Sequence, residues 1–359
     1  MSKKCVTFNQ ALFSMILFNF GSSVIIGINT KVGQDTWISV LLAMLLAVPG
    51  LMVYARIIRL FPEKNLYEII DELLGKIGGK IVAGLLVWYA VHLCALVLRN
   101  FSEFIKIAAM PETPQLPIMA VMILITAYLA RGGMPAIGKW SAFVLFPVSF
   151  IVLFTVLLAI PQMEISHFLP VFTHEPAAIA ESAFQIFSFP FMEPVLFLFL
   201  AGAFQKKDNP YKLYFYTLLI TGFLFLLIFA RNLCLLGAPM MEIQYFPSYV
   251  AARIISIGDF LARVEGSISI NFILAGITKI TVCLLAASQG LAGLFGAEDH
   301  KIFIMPVSML VLALCAIVYD NTMEMFLFID YYPFYALPFQ VIIPLAIWIL
   351  GEIHRKMVQ

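Results

Sequence analysis

The sequence predicts an all-α polytopic membrane protein of about ten transmembrane helices. Hydrophobic residues make up 62% of its 359 residues and charged residues only 12%, whereas an average soluble domain has about 25% charged residues. A water-soluble fold of this length could not cover its surface with so few charges. Because 22 basic residues balance 21 acidic ones, the chain has almost no net positive charge to attract nucleic acid. We therefore expect no nucleic-acid partner.

Ten apolar stretches along the chain are candidate spans, since about 20 apolar residues are needed to cross the bilayer core. No soluble domain or long linker separates them, so we expect a single integral membrane domain over residues 1–359, with the lipid bilayer as its surroundings. The fourth, ninth and tenth stretches are short or interrupted by proline. The ten stretches are 8–29, 37–54, 81–98, 116–130, 137–160, 183–204, 213–236, 268–294, 302–318 and 334–350.

The positive charges of the loops predict the orientation of these spans. With the N-terminus inside, 15 of the 22 lysines and arginines fall in inner segments and 5 in outer segments, which is the bias expected when the inner side faces the cytoplasm. The prediction is therefore that both termini are cytoplasmic. The other two cations, Arg231 and Lys279, lie inside spans; we expect Arg231 to snorkel to the outer interface.

Two segments outside the spans have helical patterns. Residues 63–76 carry Leu66, Ile69, Ile70 and Leu73 at helical spacing, which predicts an amphipathic helix on the inner membrane surface. Residues 246–261 suggest a helical cap over the outer vestibule, with an ordinary interfacial helix as the alternative.

Helix-breaking residues occur in the middle of the first and sixth spans. The first contains Gly21, Ser22 and Ser23, and the sixth contains Ser188, Phe189 and Pro190. Proline removes a backbone donor and disfavours helix at the residue before it. In lipid, such breaks are tolerated only where the helix lines a cavity or meets protein.

The two breaks occupy corresponding places in two five-span halves of opposite topology, at about 8–160 and 183–350. This is the five-plus-five inverted repeat of many secondary transporters, in which broken helices bind a small ligand at the midplane. Amides freed at such a break carry positive partial charge and suit a carboxylate. The alternative is that glycine and proline are simply common in membrane helices.

Ionisable residues within spans are costly and are expected to face the protein interior. Lys279 lies near the middle of the eighth span, where it is either an internal cation or a member of a structural ion pair with Glu193 or Glu103. In the third span, Arg99 and Glu103 share a helix face, so they either pair internally or snorkel at the interface. Tyr89, deeper in the third span, is a candidate to pack against a ligand.

No catalytic motif, nucleotide-binding loop or metal-ligand cluster is present, so we expect neither an enzyme nor a bound cofactor or metal.

Four motifs together resemble one known family. They are residues 19–23 (NFGSS), 98–104 (LRNFSEF), 110–114 (MPETP) and 189–193 (FPFME), and in combination they are similar to the B subunits of bacterial endospore germinant receptors. That family resembles the amino acid–polyamine–organocation transporter superfamily, which implies a LeuT-like fold with broken helices 1 and 6.

The resemblance implies a nutrient sensor of the spore inner membrane that works with an A subunit and a C subunit. By position it implies a ligand site at Gly21, Ser22, Ser23, Ser188, Phe189 and Pro190, with Thr278 near a third side of the site. It implies coupling or structural roles for Glu103 and Glu193. Two functions remain open at this point: such a receptor subunit, or a proton-coupled amino acid transporter. An amino acid is the leading ligand class, and a sugar is the alternative.

Overall fold

The structure, a computed structural model, describes residues 5–26, 31–255 and 265–358. Almost all of these residues are helical, and the ten predicted apolar segments appear as helices at the predicted places, except that residues 27–29 of the first segment lie outside the described residues. Seven of them are long and apolar enough to cross a membrane, and 115–131 and 301–315 are shorter apolar helices. The remaining segment, the first along the chain, forms helix α1. The helices are α1 (Phe8–Ile26), α2 (Thr36–Leu60), α3 (Leu66–Ala108), α4 (Gln115–Arg131), α5 (Gly133–Ala159), α6 (Pro176–Ile186), α7 (Pro210–Ile243), α8 (Pro247–Ile254), α9 (Glu265–Phe295), α10 (Lys301–Cys315), α11 (Thr322–Leu337) and α12 (Ile343–Val358).

Local sequence fixes several helix starts. Asn65 caps α3, because its side chain accepts from the Glu68 amide while the Glu68 carboxylate accepts from the Asn65 amide, which is a capping box. Asn209 caps α7, with Pro210 at the first helical position, where proline's missing N–H costs nothing.

The predicted amphipathic segment forms the first turns of α3. It begins at Leu66, three residues later than predicted, and ends at Gly75, where φ is +68°. Leu66, Ile69 and Ile70 are buried, as the helical spacing predicts. The predicted outer cap contains α8, which packs against α1, α7 and α9; residues 256–261 of that segment lie outside the described residues.

The core of the bundle is formed around α9. This helix packs against α1, α3, α4 and α5, and its residues from Ala275 to Ser288 are buried without a break. A helix that is covered on all sides in this way places its polar residues inside the protein, where each of them needs a partner. α1 and α3 therefore bring the first break and the third span directly against α9.

Candidate functional site

The first span is broken at Gly21. Its backbone angles, φ −20° and ψ −111°, are not helical, although the helix continues on both sides. Three side-chain oxygens around the break, those of Asn19, Ser22 and Ser23, are buried and have no hydrogen-bond partner among the described residues. The break predicted from the Gly-Ser-Ser run is confirmed, and it leaves polar groups available for a ligand or water.

The sixth span is broken at Phe189, whose φ of −128° and ψ of 108° are extended. The chain forms a π-turn over Phe187–Phe191 and then continues as short 3-10 segments over Glu193–Leu198 and Ala201–Ala203. The half of this span that follows Pro190 is therefore not a regular α-helix. Pro190 accounts for the break, because it has no N–H and disfavours helix at Phe189.

A glutamine from the tenth span bridges the sixth-span break. The Ser188 hydroxyl donates to Gln340 Oε1 at 2.9 Å, and Gln340 Nε2 donates to the Ser188 carbonyl at 3.0 Å. Gln340 lies in the π-turn Pro338–Ile342 between α11 and α12. The same Nε2 donates to the Tyr89 hydroxyl at 2.9 Å, and that hydroxyl lies 3.0 Å from the Tyr332 hydroxyl. These bonds tie the third, sixth and tenth spans together.

A buried ion pair joins the eighth span to this network. Lys279 Nζ pairs with Glu193 Oε2, both side chains are fully buried, and Tyr332 donates to Glu193 Oε1 at 2.9 Å. Of the two predicted partners of Lys279, Glu193 is therefore the one that the structure pairs with it. The Lys279 ammonium also lies 5.2 Å from the Phe18 ring centroid and 4.8 Å from that of Phe189, which are favourable cation–π distances.

The aliphatic part of Lys279 lies directly over the first-span break. A Cβ atom built at Gly21 would be 2.6 Å from Cδ and 2.9 Å from Cβ of Lys279. Only glycine permits this approach without a displacement of the lysine.

A small cavity lies between the two breaks, and we call it the central cavity. Its volume is about 30 Å³, which is enough for a water-sized group. The polar side chains in its wall come from α1, α3, the sixth span, the connection between α10 and α11, and α11, so all of these segments meet at it. The lining residues are Ser22, Leu93, Leu96, Val97, Asn100, Phe189, Glu193, Tyr319, Phe328, Ile329 and Tyr332.

Some predicted site residues lie away from the central cavity. Arg99 and Glu103 form a buried pair with a 2.9 Å contact at the end of α3, where Arg99 donates to the Cys315 carbonyl and Thr322 donates to Glu103. They pair internally rather than snorkel, and they tie α3 to α10 and α11. The Thr278 hydroxyl accepts from Trp140 of α5 at 3.1 Å.

Most of the remaining predicted site residues contact the cavity, the bridging glutamine or each other: Gly21, Ser22, Ser188, Phe189, Tyr89, Glu193 and Lys279. Ser23 and Pro190 belong to the two breaks but do not line the cavity.

Asn100, Tyr332 and Gln340 complete the site and were not among the predicted site residues. For Gln340 a signal was present: it follows Pro338 in an otherwise apolar span, and a polar residue beside a helix breaker indicates a protein-facing position. Within the described residues, no group of three or more His, Cys, Asp and Glu residues could hold a metal ion.

Arg231 does not snorkel, and this prediction was wrong. Its side chain is 2% exposed. The guanidinium donates to Asn232 Oδ1 at 2.7 and 3.1 Å and to Thr155 Oγ1 at 2.8 Å. Because α5 covers this face of α7, the head group is satisfied inside the protein rather than at the interface.

Two solved structures share this architecture. MhsT in complex with L-phenylalanine superposes with a TM-score of 0.67 over 88% of this chain and 80% of that one, at 14% identity. Mhp1, a nucleobase-cation-symport-1 family transporter in a closed conformation with bromovinylhydantoin bound, gives a TM-score of 0.70 over 92% and 75%, at 10% identity. The fold is the LeuT-like five-plus-five inverted repeat, as predicted.

Sequence comparisons identify the family. The chain is 25% identical to spore germination protein KB of Bacillus subtilis (strain 168) over 362 residues, which cover 99% of this chain and 97% of the relative. It is 24% identical to spore germination protein A2 of the same organism over 263 residues, or 73% and 72% of the two chains. A family profile described as spore germination protein matches residues 5–325, and the chain therefore belongs to the spore germination protein family.

Proposed function

We propose that this chain is the ligand-binding B subunit of a nutrient germinant receptor of bacterial endospores. In this role it binds a small nutrient between the broken spans and, together with A and C subunits, converts occupancy into the signal that starts germination. Membership of the spore germination protein family supports a role in germination, and the LeuT-like fold supports a small-molecule site. We further propose that its halves, about 8–160 and 183–350, are the two repeats that move relative to each other.

The observation that carries the proposal is the set of buried oxygens without partners at the first-span break and in the wall of the central cavity. Ser22, Ser23 and Asn100 each have a buried oxygen with no partner among the described residues, and Ser22 and Asn100 line the cavity. A buried polar group without a partner is unfavourable, so such groups concentrate where a ligand or ordered water completes them. The proposed ligand site consists of Gly21, Ser22, Ser23, Ser188, Phe189, Pro190, Tyr89 and Thr278.

An amino acid is the proposed ligand class, with a sugar as the alternative. A cavity of about 30 Å³ holds one water-sized group, so a whole amino acid enters only if the surrounding helices move apart. That requirement fits a receptor, because a ligand shifts a conformational equilibrium only if it binds one state better than the other. Coupling of occupancy to the rest of the protein is proposed for Lys279, Glu193, Arg99 and Glu103.

A proton-coupled amino acid transporter is the second candidate function. The fully buried Lys279–Glu193 pair favours it, because ionisable pairs inside the membrane often belong to proton relays. Uptake of labelled amino acids into proteoliposomes under an imposed pH gradient separates the two functions. Accumulation that collapses with the gradient supports the transporter, and saturable binding without accumulation supports the receptor.

We also propose the location of the chain: a multi-pass protein of the cell membrane, specifically the spore inner membrane, with both termini in the cytoplasm. The loop charges support the orientation, and the family supports the compartment.

Direct binding tests the proposed function. The purified full-length chain in detergent or nanodiscs is screened against the common L-amino acids and a panel of hexoses by equilibrium binding. We expect saturable binding of at least one amino acid, and spores that lack the chain should lose the germination response to that same compound. If the chain binds neither amino acids nor sugars, the proposal fails.

A further inference from the structure

We propose that the central cavity receives the ammonium end of the ligand, and that Asn100, Glu193 and Ser22 bind it. This inference rests on the proposed function and names the chemical group that the site recognises. It differs from the expectation that the first-span break holds a carboxylate, and four features of the cavity support it.

The first feature is the kind of polar atom that lines the cavity. Asn100 Oδ1 and Ser22 Oγ have no hydrogen-bond partner among the described residues, and the two side chains are 8% and 0% exposed. An amide oxygen can only accept, and a hydroxyl can accept as well as donate. Two acceptors without donors in one wall are complementary to a group that carries several N–H donors.

The second feature is the direction of the buried ion pair. Glu193 lines the cavity, whereas the Lys279 ammonium lies over the Phe18 and Phe189 rings. The pair therefore presents its negative member to the cavity. Glu193 Oε2 is bound by Lys279 and Oε1 accepts from Tyr332. Because each carboxylate oxygen can accept more than one hydrogen bond, Glu193 retains capacity for a further donor.

The third feature is the aromatic content of the wall. Phe189, Tyr319, Phe328 and Tyr332 all line the cavity, and aromatic faces attract cations through the ring quadrupole. A carboxylate in the same place would lie beside the Glu193 carboxylate and the unpartnered Asn100 amide oxygen, both of which oppose a negative charge. The wall therefore favours a cationic group over an anion.

The fourth feature is size. The volume of about 30 Å³ matches one water-sized group, and an ammonium group is of that size. The remainder of an amino acid would need the helices to separate, but the ammonium could enter the cavity first. On α3, Asn100 lies about one helical turn from Val97 and Leu96 and about two turns from Leu93. The same helix face therefore continues from the acceptor to an apolar wall.

Binding competition tests the inference on the full-length chain. Tritiated L-alanine is bound to the purified protein and competed with ethylamine, which lacks the carboxylate, and with propionate, which lacks the ammonium. L-valine with isobutylamine and 3-methylbutanoate forms a second matched set. We expect the amines to compete and the carboxylic acids to compete weakly or not at all.

Substitution of Asn100 gives the second arm. Asn100→Leu removes a hydrogen bond to a charged group, which weakens binding of L-alanine and of ethylamine by about 10- to 150-fold. Asn271→Leu is the matched control, because Asn271 is also buried with an unpartnered Oδ1 but donates to Val148 of α5 and does not line the cavity. If Asn100→Leu does not fold, Ser22→Ala carries the test. Because Ser22 would bind the same charged ammonium, we expect a loss of about 10- to 150-fold, with Ser182→Ala as the control.

The outcomes are distinct. If wild-type protein binds amino acids but Asn100→Leu and Ser22→Ala bind them equally well, or if propionate competes better than ethylamine, the inference is wrong while the proposed function stands. If NaCl protects the protein against thermal unfolding more than KCl at the same ionic strength and the Asn100 variant loses that protection, the cavity holds a metal cation and the inference is also wrong. If no amino acid binds, the amino acid ligand and this inference fail together.

Discussion

Lys279 lies across Gly21, so that the eighth span covers the break in the first span. A Cβ atom at Gly21 would lie 2.6 Å from Lys279 Cδ, and the ammonium beyond it pairs with Glu193 of the sixth span. One side chain therefore contacts both broken spans. Any movement that separates the two breaks must also move Lys279 or break its ion pair, so the contact between Gly21 and Lys279 is the place to test the proposed coupling role.

Gly21→Leu should abolish the response to nutrient. A leucine side chain would collide with the Lys279 stem, and the lysine cannot move away without leaving Glu193. The measurement is the nutrient dose-response of spores that carry the variant, with germination by agents that bypass the receptor as a check on general damage. Gly21→Ala, which adds only the Cβ, should raise the nutrient concentration required without abolishing the response.

Gly84→Leu is the matched control for this experiment. Gly84 lies in α3, and a Cβ built there meets nothing within 4 Å. We expect an unaltered dose-response and normal abundance. A normal response from Gly21→Leu at normal abundance would show that contact between Gly21 and Lys279 is not needed for function.

Removing only one member of the Lys279–Glu193 pair should destabilise the protein. Lys279→Met or Glu193→Gln alone disrupts a fully buried pair, and breaking such a pair costs about 3–5 kcal/mol. The double variant leaves no unpaired charge and should be more stable than Lys279→Met. Denaturation of the purified proteins in detergent measures these free energies of unfolding.

Lys64→Met is the control for this pair, since Lys64 and Glu72 are paired on the surface with 43% and 32% side-chain exposure; it should cost under about 1 kcal/mol. If the double variant is stable but fails to respond to nutrient, the pair serves coupling as well as structure. Equal stability of the wild type and both single variants would contradict a structural contribution.

The sequence was sufficient for features that depend on local signals. Apolar length located the spans, and the Gly-Ser-Ser run and Pro190 located the two breaks, because in lipid a helix can be broken only by residues of this kind in protein-facing places. The cost of burying a lysine identified Lys279 as an interior group. Its choice of Glu193 over Glu103 required the packing of α9 against the sixth span, which no single segment encodes.

The features that the sequence could not supply depend on which helix face is covered. Arg231 was expected at the interface because a cation near a span end usually snorkels, but Thr155 of α5 and Asn232 provide acceptors that keep it inside. Gln340 joins the site only because a π-turn in the tenth span points it at Ser188. Both outcomes depend on neighbours distant in the chain.

Topology can be tested through Cys5, the exposed member of five cysteines of which the other four are buried. The Val6 amide donates to the Ala203 carbonyl at 3.0 Å, so the N-terminal segment and the end of the sixth span lie on the same side. If that side is cytoplasmic, a membrane-impermeant maleimide should label Cys5 only after right-side-out vesicles are permeabilised. Tags in the loops after Arg131 and Phe204 should behave in the same way, and Cys5→Ser provides the labelling control. Labelling of Cys5 in intact vesicles would reverse the topology.

Arg231→Lys should destabilise the protein although it conserves the charge. Arg231 donates through a planar guanidinium to two acceptors on different helices, Asn232 of α7 and Thr155 of α5, and a lysine ammonium cannot reproduce that fork. Loss of one hydrogen bond from a charged group costs about 1.5–3 kcal/mol, measured by denaturation in detergent. Arg253→Lys is the matched control, because Arg253 is exposed on α8, and it should change stability by about 0.5 kcal/mol or less. If both variants are equally stable, the buried fork does not hold α5 against α7, and the covered face of α7 must be held by its apolar contacts alone.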